Sequence, residues 1–172
     1  MLLMAQPIAK AFDEIIEQTA VRPHIVYMSP RGRVLDQEKV KELAKNENII
    51  VLCGHYEGVD QRILDEIVDE EVSIGDYVLT GGELPALVLV DTIARMVPGV
   101  LPENLCFEEE SHFGGLLEYP QYTRPAVWHD REVPPVLLTG HHKNIAEWRS
   151  AQSLEETKNK RPDLYASYLD KK

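Results

Sequence analysis

The sequence has no long hydrophobic run. Its longest apolar stretches, at 49–53 and 85–90, are far shorter than the roughly 20 residues of a membrane-spanning helix. The amino-terminal segment has no basic stretch before its apolar residues and no small-residue cleavage site, so it is unlike a signal peptide. These absences argue against membrane and secreted classes and predict a cytoplasmic protein. The 172 residues suffice for one sizeable core, or for one domain with an appendage.

Cysteine is scarce as well. Cys53 and Cys106 are the two cysteines, and neither belongs to a CxxC or Cys/His cluster. This excludes a disulfide framework and a zinc site of the usual spacing, and it predicts buried thiols. The neighbouring His141 and His142 have no carboxylate or cysteine at ligand spacing, so the sequence favours no metal site there. Whether Mg²⁺ assists any reaction is left open.

The sequence has few positively charged residues relative to its acidic ones. The chain has 18 Lys and Arg against 29 Asp and Glu, a net charge of −11. Phosphate contacts need Lys and Arg, so this balance argues against non-specific nucleic-acid binding. The acidity is uneven, however, because residues 142–172 hold seven basic and five acidic side chains. The carboxyl-terminal part is therefore mildly basic.

Helical and strand patterns alternate over residues 1–98. Helical spacing occurs at 8–19, 40–44, 63–68 and 83–96, with Asp36 as an expected N-cap, and strand-like runs occur at 24–28, 49–53 and 72–74. This alternation predicts an α/β domain over 1–98 with a mainly parallel sheet covered on both faces.

Proline then breaks the periodicity. Five prolines between 99 and 140 predict an interdomain linker with one short strand at 136–138. Residues 141–172 predict a small helical domain, with helices near 144–158 and 161–169. Trp128 and Trp148 are expected to be packing residues.

Glycine is concentrated where predicted strands end. Five of the ten glycines lie between positions 54 and 82, and open α/β sheets bind ligands at the carboxyl ends of their strands. No GxGxxG motif or P-loop is present, so a dinucleotide or triphosphate cradle is unsupported. Glycines beside aliphatic and aromatic residues, without lysine, favour a neutral or cationic ligand.

Five sequence blocks carry a more specific signal. They are YMSPRG at 27–32, CGHYEGVDQR at 53–62, SIGDYVLTGGELPA at 73–86, GLLEYPQYTRP at 115–125 and VPPVLLTGHH at 133–142. In this order they resemble the bacterial tRNA (guanine-N1)-methyltransferases of the SPOUT class. The resemblance implies a homodimeric α/β fold with a deep trefoil knot, S-adenosyl-L-methionine as methyl donor, and methylation of N1 of guanosine 37, next to the tRNA anticodon.

The resemblance also implies a donor pocket built from strand ends. Backbone groups there can read an adenine edge and a ribose, and close backbone approach requires glycine. The implied pocket residues are Met28, Ser29, Pro30, Gly54, Tyr56, Glu57, Gly58, Ile74, Gly75, Asp76, Tyr77, Val78, Leu79, Gly81, Gly82 and Pro85.

Methyl transfer to guanine N1 needs a base and a cation that balances charge at O6. By resemblance the cation is Arg95, and the base falls on Glu110, where the family has Asp. The neighbouring Glu108 and Glu109 are competing carboxylates. His55, where the family often has Arg, is expected to be a polar packing residue.

The predicted tRNA contacts lie further along the chain. Tyr122 and Arg124 belong to a family block of the linker, and Arg149 and Lys160 belong to the mildly basic tail. We expect a basic patch assembled across a dimer to hold the tRNA despite the overall acidity. Its residues are Arg124, Lys143, Arg149, Lys158, Lys160 and Arg161.

Two alternatives stay open. Family members begin with a strand and a glycine-rich segment before the block that resembles this amino terminus, and they continue beyond the last helix predicted here. A catalytically impaired fragment that binds S-adenosylmethionine and tRNA is therefore the first alternative. A SPOUT enzyme acting on ribosomal RNA is the second, and the GLLEYPQYTRP block disfavours it.

Overall fold

The computed structural model describes residues 1–101 and 110–171. The chain divides into two compact units, Met1–Leu101 and Pro102–Lys172. Within the described residues, no helix is long and apolar enough to cross a membrane.

The first unit is a mixed α/β structure around a parallel sheet. Its elements in chain order are α1 (Ala5–Ile16), β1 (His24–Val34), α2 (Gln37–Leu43), β2 (Ile49–Cys53), α3 (Gln61–Ile67), β3 (Glu70–Ser73) and α4 (Glu83–Ala94). The sheet has the order β2-β1-β3, and both neighbours run parallel to β1. This confirms the predicted α/β class with a parallel sheet.

Alternation along β1 builds a core on each face of the sheet, because successive strand side chains point to opposite faces. Ile25 and Tyr27 pack with Ile63 of α3, and residues of α1 cover the same cluster. Val26 and Met28 pack on the other face, in a cluster to which α2 contributes Leu43 and α4 contributes Leu89. Helices therefore cover both faces, as predicted.

Local sequence signals explain where the helices begin. The Asp36 carboxylate accepts a hydrogen bond from the Lys39 N–H at 2.8 Å, which confirms the predicted N-cap of α2. Asp60 caps α3 in the same way, with the Arg62 N–H at 3.0 Å. These caps satisfy amide groups that the first turn of a helix leaves unpaired.

In the second unit, residues 110–171 are mostly irregular chain with two α-helices. A short hairpin joins β4 (Val127–Trp128) to β5 (Arg131–Glu132), and α5 (His142–Lys160) and α6 (Pro162–Asp170) follow. The fully buried Thr157 anchors the irregular segment to α5, because its hydroxyl accepts a hydrogen bond from the Leu117 N–H at 2.8 Å.

One predicted element is wrong. Residues 136–138 were expected to form a strand, but Pro135–Leu138 is a 3₁₀ helix. Proline fixes φ near the helical value and provides no N–H for a strand ladder, so Pro134 and Pro135 favour a helical turn. The β4–β5 hairpin was not predicted.

Candidate functional site

A cavity of about 400 Å³ lies where strand β1 meets the two loops that follow β2 and β3. We call it the strand-end pocket. Its walls come from Met28–Arg31 within β1, from 54–59 after β2, and from 73–82 between β3 and α4. This is the edge at which parallel α/β sheets bind ligands, and the volume lies in the usual range of ligand pockets.

The strand-end pocket gathers fifteen of the sixteen residues expected in the donor pocket. Asp76 is the exception, since it is exposed and does not line the cavity. The fifteen that line it are Met28, Ser29, Pro30, Gly54, Tyr56, Glu57, Gly58, Ile74, Gly75, Tyr77, Val78, Leu79, Gly81, Gly82 and Pro85.

Backbone hydrogen bonds hold two of the loops together. The Gly82 N–H donates to the Gly54 carbonyl at 2.8 Å, and His55 and Gly81 form an antiparallel bridge. A Cβ atom on Gly82 would lie 2.8 Å from Cys53 Cα, a backbone atom that cannot move aside. Only glycine permits this approach.

The loop after β3 is shaped by its own short contacts. The Ser73 hydroxyl donates to the Gly75 carbonyl at 2.9 Å, and the Tyr77 N–H donates to the same carbonyl at 2.9 Å. Gly75 has a φ of 151°, a backbone conformation that residues with a side chain rarely adopt. Short local hydrogen bonds therefore shape the start of this loop, and the Ile74 side chain packs against the core cluster that contains Val26 and Leu89.

Sequence reasoning missed several polar residues that also line the strand-end pocket, namely Tyr27, Arg31, Gln61, Ser73 and Thr80, and it did not place His55 there. Arg31 forms an ion pair with Glu71 at 3.1 Å, so its positive charge is balanced. Burial, and secondarily the Glu71 carboxylate, raise the pKa of Tyr27 and keep its phenol protonated. Tyr27 and Arg31 lie in the YMSPRG block, which carried the signal for both.

The two expected catalytic residues lie in different units. Arg95 follows the last turn of α4 and is half-buried, with its N–H donating to the Asp91 carbonyl at 3.2 Å. Glu110 is half-buried at the start of the described part of the second unit. Glu108, Glu109 and Cys106 lie outside the described residues.

Three of the four expected tRNA contacts line a second cavity, of about 420 Å³, within the second unit. We call it the aromatic cavity. Its lining includes Tyr122, Arg124 and Arg149, whereas Lys160 is not among the lining residues and forms an ion pair with Glu156 on α5.

The remaining candidates are placed as follows. His55 is half-buried with its ring 4.3 Å from that of Tyr56, and its Nδ1 is buried without a hydrogen-bond partner. Burial, with a smaller contribution from Glu83, raises the pKa of the half-buried Cys53 thiol, which disfavours a reactive thiolate.

Trp128 was expected to pack, but the structure leaves it 64% exposed in the hairpin, because two-residue strands bury little. Among residues 1–101 and 110–171, no cluster of His, Cys, Asp or Glu has the arrangement of a metal site.

Comparison with known proteins gives a consistent result. The family model described as tRNA (Guanine-1)-methyltransferase TrmD matches residues 1–167. A tRNA (guanine-N(1)-)-methyltransferase of Ruminiclostridium cellulolyticum is 59% identical over 165 residues, which cover 96% of this chain and 71% of the relative. Proteins of the same name from Lachnospira eligens and Clostridioides difficile are 52% and 50% identical, over 99% of this chain and 72% and 74% of theirs.

Proposed function

The chain belongs to the tRNA (guanine-1)-methyltransferase family, and from this membership we infer that it transfers a methyl group to N1 of a guanosine in tRNA. We propose S-adenosyl-L-methionine as the donor and guanosine 37, next to the anticodon, as the target. The observation that carries the donor assignment is the strand-end pocket, which brings together residues from three separate sequence blocks.

The strand-end pocket fits the chemistry of this donor. Its glycine-containing loops expose backbone N–H and carbonyl groups that can read an adenine edge and ribose hydroxyls. The one arginine in its lining, Arg31, is neutralised by Glu71, and Glu57 adds a carboxylate, so a sulfonium cation is not repelled. When bound, the donor supplies a methyl group on sulfur and leaves as a neutral thioether. Residues 74–75 and 77–79 would hold the adenine, with Gly54, Gly81 and Gly82 permitting close approach.

Glu110 and Arg95 are the proposed catalytic residues. Guanine N1 carries a proton at neutral pH, so its lone pair becomes available when a base removes that proton. We assign this role to the Glu110 carboxylate, and we assign to the Arg95 guanidinium the balancing of negative charge at O6. The carboxylates of Glu108 and Glu109 are the competing assignment. The methyl carbon then forms its bond to N1 as its bond to sulfur breaks.

The second unit is proposed to contact the tRNA. Tyr122, Arg124 and Arg149 line one cavity, and Lys160 lies near the end of α5 in the mildly basic tail. Arginine and lysine contacts to phosphate would make the affinity fall steeply with salt. A tRNA substrate agrees with the expected cytoplasmic location.

A homodimer and a trefoil knot are the finer parts of the proposal. Large apolar side chains on α4 support a dimer, because Leu84 and Leu87 are 63% and 64% exposed and Val90 is also exposed. Exposed apolar patches of this kind are typical of subunit interfaces. The SPOUT knot and the division into 1–98, 99–140 and 141–172 stay predictions of the resemblance.

A direct methylation assay tests the function. The purified chain is incubated with methyl-labelled donor and two tRNA transcripts that differ in having guanosine or adenosine at position 37, and digested nucleosides are separated by mass. We expect 1-methylguanosine from the first transcript and no methylated nucleoside from the second. Calorimetric binding of the donor without methyl transfer would favour the impaired-fragment alternative, which the relatives do not favour.

A further inference from the structure

The aromatic cavity combines three features that sequence reasoning did not connect. Aromatic rings line it at Tyr119, Tyr122 and Trp148, and aliphatic side chains complete its apolar wall. Two arginines, Arg124 and Arg149, supply positive charge. The aliphatic residues are Val133, Leu137, Leu138 and Ile145.

Arg149 is held in place without an anionic partner. Its guanidinium carbon lies 4.6 Å from the centroid of the Tyr119 ring, a cation–π arrangement. Its Nε is buried and has no hydrogen-bond partner, and no described residue forms an ion pair with it. Arg149 lines the cavity and no ion pair with a described residue balances its charge, so an anion bound there would compensate that charge. The position of Arg149 therefore points to an anionic ligand.

The aromatic rings leave surface for a flat ligand. The Tyr122 and Trp148 centroids are 6.3 Å apart with an interplanar angle of 57°, so the two rings do not stack on each other. Tyr122 remains 48% exposed although it lines the cavity. An exposed aromatic face beside an apolar wall suits a nucleobase, because every base has a π-face that can stack.

We propose that the aromatic cavity is a nucleotide subsite that takes one unpaired base of the tRNA against Tyr122 and Trp148, with the adjoining phosphate bound by Arg149 and Arg124. The inference rests on the proposed tRNA substrate but concerns a second nucleotide site, distinct from the strand-end pocket. The cavity joins apolar stacking surface to fixed positive charge, which is the recurrent chemistry of single-stranded RNA recognition.

The two tryptophans of the chain, Trp128 and Trp148, allow a direct test. Trp128→Phe leaves Trp148 as the only tryptophan, and Trp128 does not line the cavity. Fluorescence of this variant is titrated with an anticodon stem-loop RNA, with a blunt RNA duplex and with pyrophosphate. We expect saturable quenching by the stem-loop alone. Equal quenching by the duplex or by pyrophosphate would overturn the base-binding part, and absent quenching at stem-loop concentrations that saturate anisotropy would overturn the whole proposal.

A second set of variants separates stacking from packing. Because Tyr122 is exposed, Tyr122→Ala should leave the fold intact and weaken stem-loop binding about 10-fold, whereas Tyr122→Phe should bind like the parent. The matched control is Trp128→Ala, another exposed aromatic residue of this unit, which should leave the affinity unchanged. Equal affinities of Tyr122→Ala and the parent chain would contradict the proposal.

Charge is tested by salt dependence. Arg149→Gln should reduce the slope of log affinity against log salt by about 1, and Arg149→Lys should restore it. Arg131→Gln, an exposed arginine on β5 outside the cavity, should leave the slope unchanged. An Arg149→Gln slope equal to that of Arg131→Gln would overturn the phosphate assignment.

The subsite and the proposed function can be told apart. If the parent chain methylates no tRNA yet the stem-loop quenches Trp148 as expected, the proposed function is wrong and the nucleotide subsite is still supported.

Discussion

The strand-end pocket is held by backbone hydrogen bonds between glycine-containing loops, whereas the aromatic cavity is lined by side chains from a proline-rich segment and α5. In the first, the Gly82 N–H and the Gly54 carbonyl join two loops at 2.8 Å. Near the second, the Thr157 hydroxyl accepts a hydrogen bond from the Leu117 N–H, two residues before the cavity-lining Tyr119, and so fixes a segment with little regular structure. Substitutions should therefore impair the two sites differently. The strand-end pocket should be sensitive to any Cβ atom that separates its loops, and the aromatic cavity should be sensitive to removal of single side chains.

The largest expected effect concerns a side chain of the second unit. Glu110→Gln keeps the shape of the residue but removes its ability to accept a proton, and it should lower the rate of methyl transfer about 10²- to 10⁴-fold. Donor affinity should not change, because the strand-end pocket does not include Glu110.

The control for this variant is Glu132→Gln, an exposed carboxylate in the same unit. Single-turnover rates at saturating donor and tRNA measure the effect. If Glu110→Gln reacts at the parent rate, the base is another group, with Glu108 and Glu109 the next to replace.

The next effect tests the backbone-built site. Gly82→Ala would put a Cβ atom 2.8 Å from Cys53 Cα and about as close to the Gly54 backbone nitrogen. The loops must separate to accept it, and displacement of this size should weaken donor binding about 100-fold or more. Titration calorimetry with S-adenosylmethionine measures the loss.

Gly114→Ala is the matched control, because no atom lies within 4 Å of the Cβ position there. It should bind the donor like the parent chain. Donor affinity unchanged in Gly82→Ala would mean that the close approach of the two loops does not shape the site.

These two sites also differ in how far the sequence could predict them. Periodicity predicted the α/β class, and β2 runs over Ile49–Cys53 as expected. Residues of the strand-end pocket were predictable because a parallel sheet brings successive strand ends to one edge. Tyr27 and Arg31 were missed because the register that turns their side chains into the pocket is a property of the folded sheet.

The second unit was harder to predict for a physical reason. The buried Thr157 hydroxyl accepts a hydrogen bond from the Leu117 N–H, 40 residues away in the sequence. No local sequence pattern predicts this contact. The apolar run at 136–138 fits a strand by composition, but Pro134 and Pro135 favour a 3₁₀ turn. Arg149 and Trp148 meet Tyr119 and Tyr122 through tertiary packing alone.

A smaller effect tests the side-chain anchoring of the second unit. Thr157→Val keeps the volume but leaves the half-buried Leu117 N–H without its acceptor, which should cost about 1 kcal/mol in the free energy of unfolding. Ser167→Ala is the control, since Ser167 lies in the same unit and its hydroxyl donates to the Asp163 carbonyl of its own helix, α6. Both tryptophans lie in the second unit, so urea titrations followed by their fluorescence report its unfolding. Equal midpoints for the two variants would show that the Leu117 contact contributes nothing.

The smallest expected effect is an acid dependence confined to the first unit. Burial raises the pKa of Glu70, but hydrogen bonds from Lys39 and His24 outweigh it and hold that pKa below its ordinary value of 4.5. A carboxyl with a lowered pKa stabilises the fold fully above its unfolded-state value, and the stabilisation is lost as pH falls through the folded-state value. Glu70→Gln should therefore reduce the loss of folding free energy at low pH, measured by far-UV circular dichroism. Glu66→Gln, which replaces an exposed carboxylate on α3, should show the same loss as the parent.

Tryptophan fluorescence should show the same loss of stability at low pH in all three proteins if the two units unfold independently. A Glu70-dependent shift in that fluorescence would instead mean that they unfold together.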